Sequence, residues 1–188
     1  MFTYAIGKHI EDILRNEISE EISCDPNEYE TLDEQQGQDM VIKYKGSPLF
    51  YLESKAKWSF NDPAHMSSLQ MKQAVRHQDN YALLCVDCTP DTGARISPDA
   101  TEEQVRASRS DIFAHTYVHN NIGKLLSNTI GIQVKHEDDS TIDEKKTIKI
   151  YSNYSCNITK EIFVSGKPFS IFMYDLKNYL KQIVGSNK

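Results

Sequence analysis

The chain lacks any apolar run long enough to span a bilayer, which takes about 20 residues in a helix. Its first residues also lack the apolar segment of a secretory signal peptide. Its four cysteines form no disulfide framework for a chain of 188 residues; they are Cys24, Cys85, Cys88 and Cys156. These absences predict a protein of a reducing, cytoplasmic setting without a membrane span.

An excess of basic residues is also missing. The 21 Lys and Arg stand against 27 Asp and Glu, which gives a net charge of −6. Proteins that neutralise many phosphates usually carry a basic excess, so an extensive nucleic-acid footprint is not expected. One local basic group survives the negative total, and its side chains are either simply solvated or contact phosphate. Its members are Lys43, Lys57, Lys72 and Arg76.

The remaining composition is that of an ordinary globular domain, with 39% hydrophobic and 26% charged residues. We expect one domain with its own core. Apolar spacing and turn residues predict a helix, two strands, a second helix and a third strand, over residues 3–21, 39–45, 49–57, 67–78 and 81–86. This order predicts an α/β fold in which a sheet lies between helices.

The most informative motif pairs Gly37-Gln38-Asp39 with Glu53-Ser54-Lys55. Alternate side chains of a strand share a face, so Glu53 and Lys55 project the same way, with Tyr51 and Lys57 beside them. The turn residues over 45–48 predict a hairpin between the two strands. A hairpin would bring Asp39 next to Glu53 and Lys55.

Two carboxylates and an ammonium at one point suggest a divalent cation. Asp39 and Glu53 offer the hard oxygen ligands that Mg²⁺ or Mn²⁺ prefers, and the backbone carbonyl of Ser54 is a further candidate ligand. Such an ion polarises a phosphoryl oxygen and lowers the pKa of a bound water. Lys55 would orient or deprotonate that water, or neutralise charge in the transition state. The pattern therefore suits phosphodiester hydrolysis.

Asp39 followed by Glu53-x-Lys55 resembles the PD-(D/E)XK signature of the restriction-endonuclease-like nuclease superfamily. More of the chain is similar to one branch, the domain at the C-terminus of NO VEIN-type proteins. The resemblance covers most of residues 5–184 and is weakest over about 89–146. The similar segments are Gly7…Glu11, Gly37-Gln38-Asp39, residues 52–55, residues 69–74 followed by 81–83, and residues 151–180.

The resemblance implies an α/β fold with a restriction-endonuclease-like mixed β-sheet flanked by helices. It implies one nuclease-like domain over 1–188, with a core of about 3–88, a closing strand and helix of about 147–184, and an insertion or variable region over 89–146. Asp39 and Glu53 would bind the metal and Lys55 would be the catalytic lysine.

The same resemblance assigns two supporting roles. Glu11, with Glu17 as the alternative, would assist at the metal from the first helix. Gln70 would contact substrate or a metal-bound water, although related sequences often have an acid at that position.

The resemblance further implies hydrolysis of DNA, with RNA not excluded, by the effector module of a bacterial defence or restriction system. An ATPase or helicase partner, a longer parent chain or a homodimer would then supply part of the DNA grip. A catalytically inactive nuclease fold that serves as a nucleic-acid-binding or protein-interaction scaffold is the alternative. In a further alternative, the acidic cluster is an incidental network of ion pairs.

Two other patterns have simpler interpretations. Cys85 and Cys88 have the spacing of zinc ligands but lie at the end of an apolar run, which favours core cysteines. His115 and His119 would share one face of a helix, but no glutamate lies between them in the zinc-protease arrangement. Trp58 is expected in the core or at its rim.

Overall fold

The computed structural model describes residues 2–22, 29–33, 37–59, 63–135, 148–151 and 155–186. The helices are α1 (Phe2–Ile22), α2 (Ser68–His77), α3 (Glu102–Ala107), α4 (Arg109–Ala114), α5 (Ile122–Lys135), α6 (Lys160–Phe163) and α7 (Phe169–Ser186). The strands are β1 (Tyr29–Asp33), β2 (Met40–Tyr44), β3 (Ser47–Lys57), β4 (Ala64–Met66), β5 (Tyr81–Asp87), β6 (Thr116–His119), β7 (Lys149–Ile150), β8 (Cys156–Ile158) and β9 (Lys167–Pro168). Within these ranges no helix has the length and apolarity needed to cross a membrane.

A mixed six-stranded sheet forms the centre of the fold, in the order β1-β2-β3-β5-β6-β9. Strands β3 and β5 run parallel, because α2 carries the chain back across the sheet between them. The other neighbouring pairs are antiparallel. This confirms the predicted α/β fold with a mixed sheet and flanking helices.

The β2–β3 hairpin closes through a two-residue turn. Lys45 and Gly46 have φ angles of 49° and 77°, which are the left-handed values that a type I′ turn requires. The register pairs Met40 with Leu52 and Ile42 with Phe50. The hairpin is therefore confirmed, and β1 extends it with a third strand where the sequence suggested only a loop.

Both faces of β3 are covered, and each face belongs to a different core. Phe50 and Leu52 pack in the larger core, to which α1 and α7 contribute apolar side chains. Tyr51 lies on the opposite face, at the edge of a second core built with residues from α2 and α5. A polar side chain on that second face is consequently removed from water.

Residues 89–146, expected as an insertion, carry part of the central sheet in their described portion. Strand β6 pairs with β5 through Leu83↔His119 and Val86↔Thr116. Helix α5 adds Ile122 and Leu126 to the second core. The described part of this segment, expected as an insertion or variable region, therefore belongs to the sheet and the second core. The sequence did not place β6 there, because short apolar segments near 112–126 do not distinguish a buried strand from a helix.

The strand expected near residues 147–151 joins a separate sheet with the order β4-β8-β7.

A buried ion pair ties helix α6 to the central sheet. Lys160 Nζ lies 2.6 Å from Asp87 Oδ2 and donates to Thr89 Oγ1 at 3.1 Å. Because both charges are buried, each requires the other in place.

Gly37 is the residue that shapes the approach to β2. Its φ is 94°, and a Cβ added there would lie 2.8 Å from Gln73 Cγ and 2.9 Å from Leu69 Cγ. Gly46 also has a positive φ, but its Cβ would meet nothing within 4 Å. We expect Gly37→Ala to lower the free energy of unfolding by roughly 3 kcal/mol and Gly46→Ala by about 1 kcal/mol.

Urea unfolding of the two variants checks this expectation, because both introduce the same methyl group at a left-handed position. Equal losses would show that close packing of α2 on Gly37 contributes nothing to stability.

Candidate functional site

Asp39 directly precedes β2, in a segment that two hydrogen bonds to the backbone fix in place. Its N–H donates to the Leu52 carbonyl at 2.9 Å, and the buried Tyr81 hydroxyl donates to the Gly37 carbonyl at 3.0 Å. Asp39 Oδ2 accepts hydrogen bonds from Ser54 N–H at 2.7 Å and Ser54 Oγ at 2.9 Å. Asp39 Oδ1 is the oxygen that Ser54 does not engage.

Glu53 lies opposite Asp39, one step beyond the Met40↔Leu52 pair, and its residue exposure is 0%. Its Oε1 lies 2.6 Å from Lys55 Nζ and also accepts a hydrogen bond from Gln70 Nε2. Its Oε2 is buried and has no hydrogen-bond partner among the described residues. The two donors therefore converge on one oxygen and leave the other unsatisfied.

Gln70 links this carboxylate to the first turn of α2. Ser67 is the N-cap, and Gln70 occupies the third helical position of a capping box. Gln70 Oε1 accepts from Ser67 N–H at 2.8 Å, while its Nε2 points to Glu53. The helix predicted over 67–78 thus begins at its expected end, and its capping box fixes the orientation of the Gln70 amide.

The electrostatics of Glu53 oppose its ionisation. Burial raises the pKa of Glu53 from 4.5 to about 8, with the charge of Asp39 and more weakly that of Glu11 acting in the same direction. Lys55 lowers this pKa through its charge and its hydrogen bond, without cancelling the burial effect. A cation at the unsatisfied oxygen would reverse the balance.

The first helix contributes Glu11 and not Glu17. Glu11 is 7% exposed, pairs with Lys8, and lies close enough to act on Glu53 electrostatically. Glu17 instead binds Arg109 of α4, on the side of α1 that faces α3 and α4. The alternative placing of Glu17 at the site is therefore wrong.

A divalent cation fits the chemistry of these residues. The N–H and C=O of one strand residue point to the same edge, so the Ser54 carbonyl faces the side where β2 has ended at Met40. That side holds Asp39, and the unsatisfied Glu53 Oε2 offers a second hard oxygen. The described residues nevertheless contain no group of three or more His, Cys, Asp and Glu side chains placed to hold a metal ion.

The four predicted phosphate-contacting cations do not form one patch. Lys43 and Arg76 line a cleft of about 260 Å³ between the β2–β3 hairpin and the C-terminal half of α2. Lys72 is exposed on α2 but does not line that cleft. Lys57 is only 5% exposed, which removes it from the surface cations.

An aromatic pair in the same cleft was not foreseen from the sequence. The rings of Tyr51 and His77 stack at 3.9 Å with an interplanar angle of 25°. The alternation of β3 placed Tyr51 on the face of Glu53, but no local signal indicated His77 as its partner. Only the packing of α2 on β3 brings the two rings together.

The fold shows where the residues of the other candidate metal patterns lie. Cys85 and Cys88 are buried core residues, and Cys24 lies outside the described residues. The helical placing of His115 and His119 is wrong, because His115 follows α4 and His119 ends β6. Trp58 packs against the larger core and donates to the Ile96 carbonyl at 3.2 Å.

Comparison with known proteins adds no identification. No family model, curated protein or solved structure matches the chain.

The raised pKa of Glu53 predicts a specific pH dependence. Since the folded chain holds a proton on Glu53 up to about pH 8 and the unfolded chain releases it near 4.5, wild-type stability falls as pH rises between these values. Glu53→Gln removes this slope. Relative to wild type, the variant should gain about 2–4 kcal/mol between pH 5 and pH 8.

Urea unfolding at several pH values, without divalent cations, measures this difference. Glu103→Gln, an exposed substitution on α3, is the control and should run parallel to wild type. A Glu53→Gln curve that also runs parallel would mean that Glu53 titrates as an ordinary carboxyl.

Proposed function

We propose that the chain is a nuclease of the restriction-endonuclease-like superfamily that hydrolyses DNA phosphodiester bonds with Mg²⁺ or Mn²⁺. The observation that carries the proposal is the convergence of Asp39, Glu53 and Lys55. Lys55 Nζ lies 2.6 Å from Glu53 Oε1, while Glu53 Oε2 is buried without a partner among the described residues. A carboxylate in this state is poised for a cation.

Each residue of the cluster has a distinct role in this proposal. Asp39 Oδ1, Glu53 Oε2 and the Ser54 carbonyl would hold the cation. The ion supplies Lewis-acid activation of the phosphoryl group and a water of lowered pKa. Lys55, whose side chain is 24% exposed, reaches from Glu53 to the solvent side, where it would stabilise negative charge on the phosphorane.

Gln70 and Glu11 act indirectly. The Gln70 amide and the Lys55 ammonium both bind Oε1, so they orient the Glu53 carboxylate and direct Oε2 toward the cation. Glu11 adds negative potential from α1. Positioning of this kind is the contribution that supporting groups make around a metal site.

A module of this kind would act within a cytoplasmic defence or restriction system. The net charge of −6 leaves little general attraction for DNA, so a partner ATPase or helicase, a longer parent chain or a second copy would supply part of the grip. RNA remains a substrate to be tested beside DNA.

Cleavage of plasmid DNA in Mn²⁺ tests the activity. We expect Glu53→Ala and Lys55→Ala each to lower the rate at least about 100-fold, because each removes a group that acts on the transition state. Glu103→Gln and Lys181→Ala, both exposed and outside the cluster, should retain the wild-type rate. Equal cleavage by all five proteins would show that the assigned cluster is not the catalytic site.

A catalytically silent nuclease fold that binds nucleic acid or protein is the second candidate. Two observations favour it. The described residues hold no trio of ligating side chains, and the neutral Gln70 stands where the resemblance implies an acid in many relatives. The two candidates differ in whether the cluster binds a cation.

Calorimetric titration with Mn²⁺ separates the two candidates. For a nuclease we expect saturable binding to the wild type, loss of binding in Glu53→Gln, and roughly tenfold tighter binding in Gln70→Glu, since a glutamate there keeps the capping box and adds a ligand. The matched control is Gln104→Glu, which makes the same change in the α3 capping box formed with Thr101. Saturable binding by Gln70→Glu alone would favour the silent fold.

A further inference from the structure

We propose that the cleft beside the acidic cluster binds one unpaired nucleotide of a nucleic-acid strand. The residues that line the cleft include Gln38, Lys43, Tyr51, Gln73, Arg76 and His77. The inference deepens the proposed function and rests on it only in taking nucleic acid as the ligand. The cleft would be a binding site for a base, and single-stranded nucleic acid would be the preferred class of ligand.

The cleft is continuous with the acidic cluster along two chain segments. Gln38 precedes Asp39 directly, and Tyr51 lies two residues before Glu53 on the same face of β3. Helix α2 spans both places, since Gln70 in its first turn bonds Glu53 while His77 in its last turn stacks on Tyr51. A strand with its scissile phosphate at Glu53 would therefore place a neighbouring nucleotide in the cleft.

Two kinds of group in the cleft match two parts of a nucleotide, the base and the phosphate. The Tyr51–His77 stack is an aromatic surface on which a base can extend the stacking. Lys43 and Arg76 provide positive charge for the phosphate, and Arg76 also offsets the negative end of the α2 dipole. His77 bonds Gln73 Oε1 through its Nε2 at 3.1 Å, which holds its ring in place.

Gln38 gives independent support for a ligand. It is only 3% exposed, and its Oε1 is buried without a hydrogen-bond partner among the described residues. Buried amide oxygens are normally satisfied, so this acceptor, on a residue that lines the cleft, is one that a ligand's donor could satisfy once the amide turns toward the cleft. An N–H on the pairing edge of a nucleobase is such a donor, and that edge is available only when the base is unpaired.

The size of the cleft favours a single strand over a duplex. Its volume of about 260 Å³ lies just below the roughly 300–1,000 Å³ of pockets that enclose drug-sized ligands. One nucleotide unit matches this space, whereas a base pair exceeds it. A duplex must release a base before the cleft can be filled.

Fluorescence anisotropy in EDTA tests the proposal without any requirement for catalysis. The probes are a labelled oligothymidylate of about ten nucleotides, the same strand with abasic sites, and a duplex of equal length. Wild-type protein should bind the oligothymidylate about tenfold more tightly than either comparison probe. Tyr51→Leu should abolish this preference and Tyr51→Phe should retain it.

Salt dependence separates phosphate contacts from stacking. Arg76→Ala should reduce the slope of log affinity against log salt by about 0.7 and keep the preference for bases over abasic sites. Tyr51→Leu should leave the slope unchanged. Lys181→Ala, on the exposed face of α7, should alter neither quantity.

Equal binding of the abasic strand or of the duplex by wild type overturns the proposal, as does a base preference that persists in Tyr51→Leu. Absence of binding to all three probes also overturns it. EDTA removes the metal, so the binding measured here does not require catalysis. If the wild type binds as expected but does not cleave DNA, the proposed nuclease activity is wrong and the proposed nucleotide site stands.

Discussion

The burial of the Glu53 carboxylate beneath the first turn of α2 is the constraint on which the site depends. Strand β3 lies inside a sheet covered on both faces, and the Glu53 side chain in its middle does not reach solvent. Its partners must come from the protein, and the described ones are Lys55 from the same strand and Gln70 from the helix above. The position of α2 is thereby coupled to the state of one carboxylate.

This coupling makes the site a weak point of the fold in the absence of a cation. An unsatisfied buried oxygen costs free energy, and the negative charges of Asp39 and Glu11 add to the cost when Glu53 ionises. A core strand with no function to serve would replace Glu53 by an apolar residue. The presence of an acid there, beside a second acid, fits a ligand that compensates the buried charge.

Local signals were sufficient for the parts of the fold that close over short distances. The Lys45-Gly46 turn, the alternation in β3 and the Ser67 cap each act through neighbouring residues, and the hairpin alone aligns Asp39 with Glu53. The separate sheet, β6 and the Tyr51–His77 stack required long-range packing. Short apolar segments fit either period, so the sequence could not place His119 on a strand or predict which helix covers Tyr51.

The carboxylates of the acidic cluster and the cations of the cleft lie in different places. The proposed catalysis and the proposed nucleotide binding therefore use different groups. The carboxylates of Asp39 and Glu53 lie where β2 has ended, whereas the cations that line the cleft lie at the hairpin and the end of α2. The carboxylates suit a metal and repel phosphate; the cations attract phosphate without requiring the metal. The neutral Gln70 amide therefore bears on the proposed metal site and not on the proposed nucleotide site. Under the proposal above, a chain without catalysis would still offer a nucleotide the Tyr51–His77 stack and the cations of the cleft, because these groups are not the ones that would bind the metal.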